Sequence, residues 1–236
     1  TLKASQKHKD KRERKMKTLQ KFGGFAALYM AAVNLMGMCI FLVVLDYMNM
    51  TDPLKKVTLL VEKQTIIFST NLLMYIFFGV FLIALTLALY DRLKDSSPVI
   101  MQMAAVTGII WAGSLIASGM VANAGIAPVV ALYRANPQRA ALAWQNIETV
   151  SGGLGNANGE ILGGLLTLLV SFAALRSGKL PKGLNFLGLL VGAAGTASLI
   201  PALTDTLVGI FGLGQIAWFI GLGIVLLRRN PKAAAQ

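Results

Sequence analysis

The sequence predicts an all-α fold: a polytopic membrane helical bundle of six transmembrane helices, with the N- and C-termini cytoplasmic. Hydrophobic residues fill 56% of the 236 positions and charged residues only 14%, whereas soluble domains usually carry about 25% charge. Six stretches are each apolar over about 20 residues, the helical length that crosses a hydrocarbon layer of about 30 Å. The basic residues are distributed unevenly between the loops, and this asymmetry predicts the orientation.

The six spans form a predicted transmembrane domain, residues 22–229, between cytoplasmic tails at residues 1–21 and 230–236. The spans are continuously apolar and lack the alternation of membrane β-strands, so a barrel is not expected. The predicted spans are about 22–45, 65–90, 99–121, 154–175, 184–203 and 206–227.

Counting basic residues on either side of these spans gives the orientation. With a cytoplasmic N-terminus, 17 of the 22 lysines and arginines lie inside and five outside, as the positive-inside rule demands. The net charge of +12 therefore reflects orientation, and we predict a multi-pass membrane protein.

The connection between the third and fourth spans, residues 124–153, is long for a helical bundle. Within it, residues 137–148 are typical of a short interfacial helix, with Asn136 as its cap and Pro137 as its first residue. The helix is predicted to lie along the outer membrane surface or over the mouth of the bundle, where a gating lid is the alternative. Aromatic residues predicted at the membrane interfaces are Tyr47, Tyr90, Tyr133 and Trp144.

The N-terminal tail is strongly basic but has no interleaved aromatic residues, so binding to nucleic acid is not predicted. Contact with anionic lipid headgroups is the expected role, at about 1 kcal/mol per basic residue near the surface. Docking to a partner subunit is the alternative. The basic residues concerned are Lys7, Lys9, Lys11, Arg12, Arg14, Lys15, Lys17 and Lys21.

Glu160 is the one carboxylate predicted inside a span. Counting 20 residues back from Arg176, at the inner end of span four, reaches about Asn156 and places Glu160 about one turn below the outer surface. Further polar residues are predicted in the spans or at their outer ends, where buried polar groups need partners. They either form hydrogen bonds that hold the helices together or line a small cavity for a solute, proton or ion. The group comprises Glu160, Asn156, Asn158, Asn71, Asn123, Gln215 and Asn34.

Strips of glycine predict close approach between helix backbones, which suits association with other membrane subunits or with a second copy. The glycines concerned are Gly155, Gly159, Gly163, Gly188 and Gly192.

Residues for metal or cofactor chemistry are scarce, so we predict no cofactor, no metal and no enzymatic activity. His8 is the only histidine and lies in the tail, and Cys39 is the only cysteine. Met36 and Cys39 share a helical face, but packing is the favoured interpretation over Cu(I) binding.

Residues 159–192 resemble a bacterial family of six-span membrane proteins that is defined as a domain of unknown function. The resemblance rests on the apolar run from Gly163 to Leu169, the turn from Arg176 to Lys182, and the glycine-containing segment 187–192. Members of the family share an Arg-Ser-Gly-x-Leu-Pro turn between spans four and five. The resemblance implies a six-helix bundle in a bacterial inner membrane and no catalytic residue.

Two functions follow from these observations. The first is a non-catalytic integral membrane protein, acting as an accessory or structural subunit. The alternative is a small-solute or ion-coupled transporter that uses a polar cavity around Glu160.

Overall fold

The computed structural model describes the backbone of residues 2–155 and 160–228, and the side chains of 16–155 (except Met48) and 160–228. Asn156, Asn158 and Gly159 lie outside the described residues. The tail side chains of Lys7, Lys9, Lys11, Arg12, Arg14 and Lys15 lie outside the described side chains.

The described part of the chain is helical and contains no strand. Four helical segments in it are long and apolar enough to cross a membrane: Met16–Val44, Gln64–Leu93, Pro98–Ala135 and Pro201–Leu227. They indicate a multi-pass membrane protein. The helices are α1 (Leu2–Cys39), α2 (Pro53–Glu62), α3 (Gln64–Asn71), α4 (Phe78–Leu93), α5 (Pro98–Ala135), α6 (Pro137–Leu154), α7 (Ile161–Ser177), α8 (Lys182–Ala197) and α9 (Thr204–Leu227).

Local side chains begin and end several of these helices. Asn136 accepts a hydrogen bond from the backbone N–H of Arg139 (2.9 Å), and Pro137 follows as the first residue of α6, where its missing N–H costs nothing. Gly178 ends α7 at φ +62°, a left-handed conformation that glycine adopts without strain.

Six helices close into a ring. Each packs against its neighbours in the order α1, α4, α5, α7, α8 and α9, and α9 returns to α1. Helices α7 and α8, of 17 and 16 residues, are shorter than the roughly 20 residues that cross a hydrocarbon layer. The six-span arrangement and the cytoplasmic termini therefore stay predictions.

Two of the ring helices contain π-helical turns. Helix α1 continues into Ile40–Val44, where the N–H of Leu45 donates to Ile40 O, five residues back (2.8 Å). A second π-helical segment, Leu72–Phe77, joins α3 to α4. Such turns insert an extra residue into a helix and occur frequently at functional sites.

The helix predicted over residues 137–148 is confirmed as α6, which runs six residues further, to Leu154. The rest of the predicted connection is shorter than expected, because α5 continues as far as Ala135 and α6 follows after a single residue. Pro128 lies inside α5 without ending it. The α5 backbone there packs against α6: a Cβ added to Gly125 would lie 2.6 Å from Ile147 Cδ1. Helix α5 therefore continues past Pro128 where it packs closely against α6.

The chain beyond the ring has its own apolar core. We call α2, α6 and residues 122–135 of α5 the helical cap; its core includes Leu60, Val129, Ala140 and Trp144. Helix α5 has 38 residues, about 57 Å at 1.5 Å per residue, nearly twice the hydrocarbon thickness, so a membrane-spanning α5 extends well beyond it. Tyr47 and Trp144, predicted at a membrane interface, are instead buried in this second core.

Candidate functional site

A cavity of about 230 Å³ lies inside the ring. Its walls come from α1, the second π-helical segment, the start of α4, the middle of α5 and α9, together with Gly155 and Glu160. Half-buried lining residues such as Glu160 and Asn34 show that the cavity reaches the molecular surface. The lining comprises Asn34, Met38, Met74, Tyr75, Phe78, Trp111, Leu115, Gly155, Glu160, Val208, Phe211, Gly212, Gln215 and Ile216.

Glu160 is held in the wall through its backbone. Its N–H donates to Ser198 Oγ (2.8 Å), and the Ser198 hydroxyl donates to Gly195 O (2.6 Å), so the end of α8 fixes its position. The carboxylate makes no capping hydrogen bond, and the ion pairs within the described residues join other groups. Within the described residues, the carboxyl group of Glu160 therefore has neither a capping hydrogen bond nor an ion pair.

The predicted position of Glu160 one turn inside a helix is wrong. Helix α6 ends at Leu154 and α7 begins at Ile161, so Glu160 immediately precedes a helix that was expected to start at residue 154. Glu160 itself has non-helical backbone angles (φ −89°, ψ +47°).

Gln215 and Trp111, two residues of the cavity wall, each have a buried side-chain nitrogen without a hydrogen-bond partner in the described residues. The Thr167 hydroxyl lies 2.8 Å from Gly163 O and 3.2 Å from Gln215 Oε1, and its single proton serves one of them at a time. Either amide atom of Gln215 can face Thr167, and the other amide atom then has no hydrogen-bond partner within the described residues. The buried Nε1 of Trp111 and Nε2 of Gln215 have no partner within the described residues.

The polar residues predicted as one network are divided by the structure. Glu160, Asn34 and Gln215 line the cavity, whereas Asn71 and Asn123 do not. Asn71 is buried at the end of α3, and Asn123 donates to Phe68 O (3.2 Å), which ties α5 to α3.

The glycines predicted to associate helices pack within the chain. A Cβ added to Gly163 would lie 2.6 Å from Phe211 Cζ and 2.8 Å from Trp111 Cζ2, so this glycine makes room for two rings of the wall. Added Cβ atoms would also meet Ser171 and Trp218 at Gly188, the backbone of α7 at Gly192, and Ser118 Oγ at 3.0 Å from Gly155.

Sequence reasoning missed Met74, Tyr75 and Trp111. The first two lie in the π-helical segment Leu72–Phe77, and hydropathy carries no signal for a π turn. The sequence did contain a signal for Trp111. Tryptophan is enriched at membrane interfaces, so its position in the middle of a predicted span is unusual and could have marked it as a site residue.

A second polar cluster holds the cap together. Trp144 Nε1 donates to the Tyr47 hydroxyl (2.6 Å), which donates to Glu148 Oε1 (2.7 Å). Lys56 Nζ lies 3.3 Å from the same carboxylate oxygen and 5.0 Å from the centre of the Tyr47 ring. Burial, and then the charge of Glu148, raise the pKa of the Tyr47 phenol above its usual range.

Neither cluster has the composition of a metal site. Within the described residues, no group of three or more His, Cys, Asp and Glu side chains is placed to hold an ion. Cys39 is exposed, while Met38 and Met74 contribute two thioethers to the cavity wall.

No family model matches this chain, and no curated protein or solved structure shows significant similarity to it. The resemblance of residues 159–192 to a six-span membrane family therefore stays a prediction from the sequence.

Proposed function

We propose that this protein is a small-solute transporter that binds its cargo in the cavity between α1, α4, α5 and α9. One observation carries the proposal: Glu160, which has no ion pair in the described structure, lines a cavity of about 230 Å³ together with Gln215 and Trp111, and each of these two residues has a buried polar atom without a partner. Polar groups in an apolar bundle are costly unless they are hydrogen-bonded. A bound solute would supply the missing partners.

The accessory-subunit function that the sequence first suggested has less support. It rested on the scarcity of residues for catalysis and on glycine strips that suit association between helices. Gly163, Gly188 and Gly192 instead pack against groups of the same chain. Their close contacts explain the glycines without a partner.

The membrane and its orientation belong to the same proposal. We place the protein in a bacterial inner membrane with both termini cytoplasmic, on the basis of the loop charges and the sequence resemblance. Lys17 and Lys21 are exposed on α1, which supports contact between the N-terminal tail and anionic headgroups.

Thermal unfolding of the purified protein in detergent tests the binding function. Amines, amino acids, amides and sugars are added separately to the natural protein, Glu160→Gln and Leu115→Phe, which narrows the cavity. Glu62→Gln is the control, because it makes the same chemical change at an exposed position of α2. At least one solute class should raise the unfolding temperature of the natural protein and of the control. The increase should be smaller in Glu160→Gln and Leu115→Phe.

Uptake of the stabilising solute into vesicles containing the purified protein then tests transport. Accumulation should exceed that of empty vesicles and decrease in Glu160→Gln. If no solute class stabilised the natural protein, the cavity would not be a binding site. Recovery of the chain from native membranes in a fixed ratio with another membrane protein would then favour an accessory subunit.

A further inference from the structure

We infer that the cargo of this cavity is a compact organic ammonium ion that carries a hydroxyl group. The inference rests on the proposed function and names its substrate class. Three properties of the wall support it: its charge, its aromatic surface, and the position of its unsatisfied polar groups.

The charge of the wall favours a cation. Glu160 is its one ionisable carboxylate, and no lysine, arginine or histidine is among the described residues that line it. The basic partners identified for carboxylates in the described structure are Lys56, which pairs with Glu148, and Lys94, which pairs with Asp91. A positively charged cargo would give Glu160 the counter-ion that the folded chain does not provide.

The aromatic surface favours an organic cation over a metal ion. Tyr75, Phe78, Trp111 and Phe211 all contribute to the wall, and the rings of Phe78 and Trp111 pack edge to face with centroids 6.0 Å apart. Alkylammonium groups bind to aromatic faces through cation–π attraction. Ca²⁺ and Mg²⁺ are instead bound by about six or more oxygen atoms, and this wall has one carboxylate and few other oxygens.

The unsatisfied groups of two wall residues favour a hydroxyl at a second point of the cargo. Trp111 Nε1 can only donate, whereas Gln215 presents either a donor or an acceptor, depending on which amide atom faces Thr167. A hydroxyl both donates and accepts, so it satisfies Trp111 together with either orientation of Gln215. Both side chains are nearly fully buried, with exposed fractions of 2% for Gln215 and 4% for Trp111.

The volume limits the size of the cargo. A cavity of about 230 Å³ corresponds to roughly seven or eight waters at about 30 Å³ each. Choline, a quaternary ammonium ion with a terminal hydroxyl, has a comparable number of heavy atoms. It is therefore the probe for the experiment.

Calorimetric titration of the full chain in detergent compares choline with two matched analogues. The neutral alcohol 3,3-dimethylbutan-1-ol has the same shape with carbon in place of nitrogen, and tetramethylammonium keeps the charge but lacks the hydroxyl. In the natural protein choline should bind at least about tenfold more tightly than either analogue, a ratio equivalent to about 1.4 kcal/mol. Sodium and potassium chloride should not compete with it beyond their effect on ionic strength.

Three variants test which side chain is responsible for each binding preference. Glu160→Gln should reduce the preference for choline over the neutral alcohol, and Glu62→Gln should leave it unchanged. Trp111→Phe keeps an aromatic ring but removes the N–H, so it should reduce the preference for choline over tetramethylammonium. The comparison of the three ligands on the natural protein remains informative even where a variant does not fold.

Equal binding of choline and the neutral alcohol would overturn the inference, and so would tight binding of sodium or potassium at the Glu160 site. If sugars, amides or amino acids bound while all three probes failed, the cargo class would be wrong but the solute-binding function would stand. If no solute bound at all, both proposals would fail.

Discussion

Tyr47 connects the turn after α1 to two elements of the cap, α6 and α2. It accepts a hydrogen bond from Trp144 on α6, donates one to Glu148 one turn further along, and its ring lies beneath the ammonium of Lys56 on α2. The residue follows Asp46, a non-glycine residue at φ +50°. This left-handed conformation costs free energy, which the surrounding contacts must supply.

Replacing this hydroxyl should destabilise the protein. Tyr47→Phe leaves the buried N–H of Trp144 without its partner, and an unsatisfied buried donor costs about 1–3 kcal/mol. The measurement is the free energy of unfolding in detergent. Tyr90→Phe is the control, because Tyr90 has a ring contact with Lys94 but no hydroxyl hydrogen bond within the described structure, so its change should stay within about 0.5 kcal/mol. Equal effects of the two substitutions would contradict the role assigned to Tyr47.

At the scale of elements, the contact between α7 and α8 depends on backbone approach. A Cβ added to Gly192 would lie 2.7 Å from Leu168 N and 2.8 Å from Gly164 O, which belong to a helix backbone that moves little. The α7–α8 contact thus stabilises the part of the ring that fixes Glu160 through Ser198.

Gly192→Ala should therefore lower the unfolding temperature, with an overpacking cost of about 1–3 kcal/mol. Gly183→Ala adds the same methyl group to the first turn of α8, where the added atom would have no neighbour within 4 Å. That control should be neutral or stabilising by up to about 1 kcal/mol, because alanine favours helix more than glycine does. A stabilising Gly192→Ala would show that the two helices are further apart.

At the scale of the whole molecule, the ring closes where α1 meets α9. A Cβ at Gly24 would lie 2.8 Å from Leu227 Cγ. The first and last ring helices are therefore neighbours, although they are far apart in the sequence. Without this contact the cavity would lack two of its walls.

A disulfide tests the closure. In a Cys39→Ser background, Gly24→Cys with Leu227→Cys should cross-link within one chain on mild oxidation, because the two side chains would be in contact. Gly24→Cys with Leu213→Cys is the matched control. Leu213 lies 14 residues earlier in α9, about 21 Å along the axis. Cross-linking only between two chains, or in the control alone, would contradict the ring.

Labelling with a membrane-impermeant maleimide tests the six-span topology. In the same background, Arg139→Cys in the cap should react in intact cells, and Lys182→Cys at the start of α8 should react only after permeabilisation. Both positions are exposed in the folded chain, so the difference reports the side of the membrane. Equal labelling of both in intact cells would contradict the predicted arrangement.

The sequence by itself determined the segments that form the ring helices, because continuous apolarity and the turns between spans are local properties. Helix α9 ends at Leu227, as predicted, and α5 begins at Pro98, one residue before the predicted start. Glu160, Asn34 and Gln215 could also be identified as candidates, because polar residues are conspicuous in apolar segments.

Only the tertiary structure decided which of these residues meet. Lipid is as apolar as the interior of a bundle, so hydropathy does not tell Trp111 or Tyr75, which line the cavity, from residues that face outward. The π-helical turns and the continuation of α5 past Pro128 likewise depend on packing against other helices. Glu160 lies at the cavity because the end of α8 holds its backbone there, a contact between residues 38 positions apart that no local pattern contains.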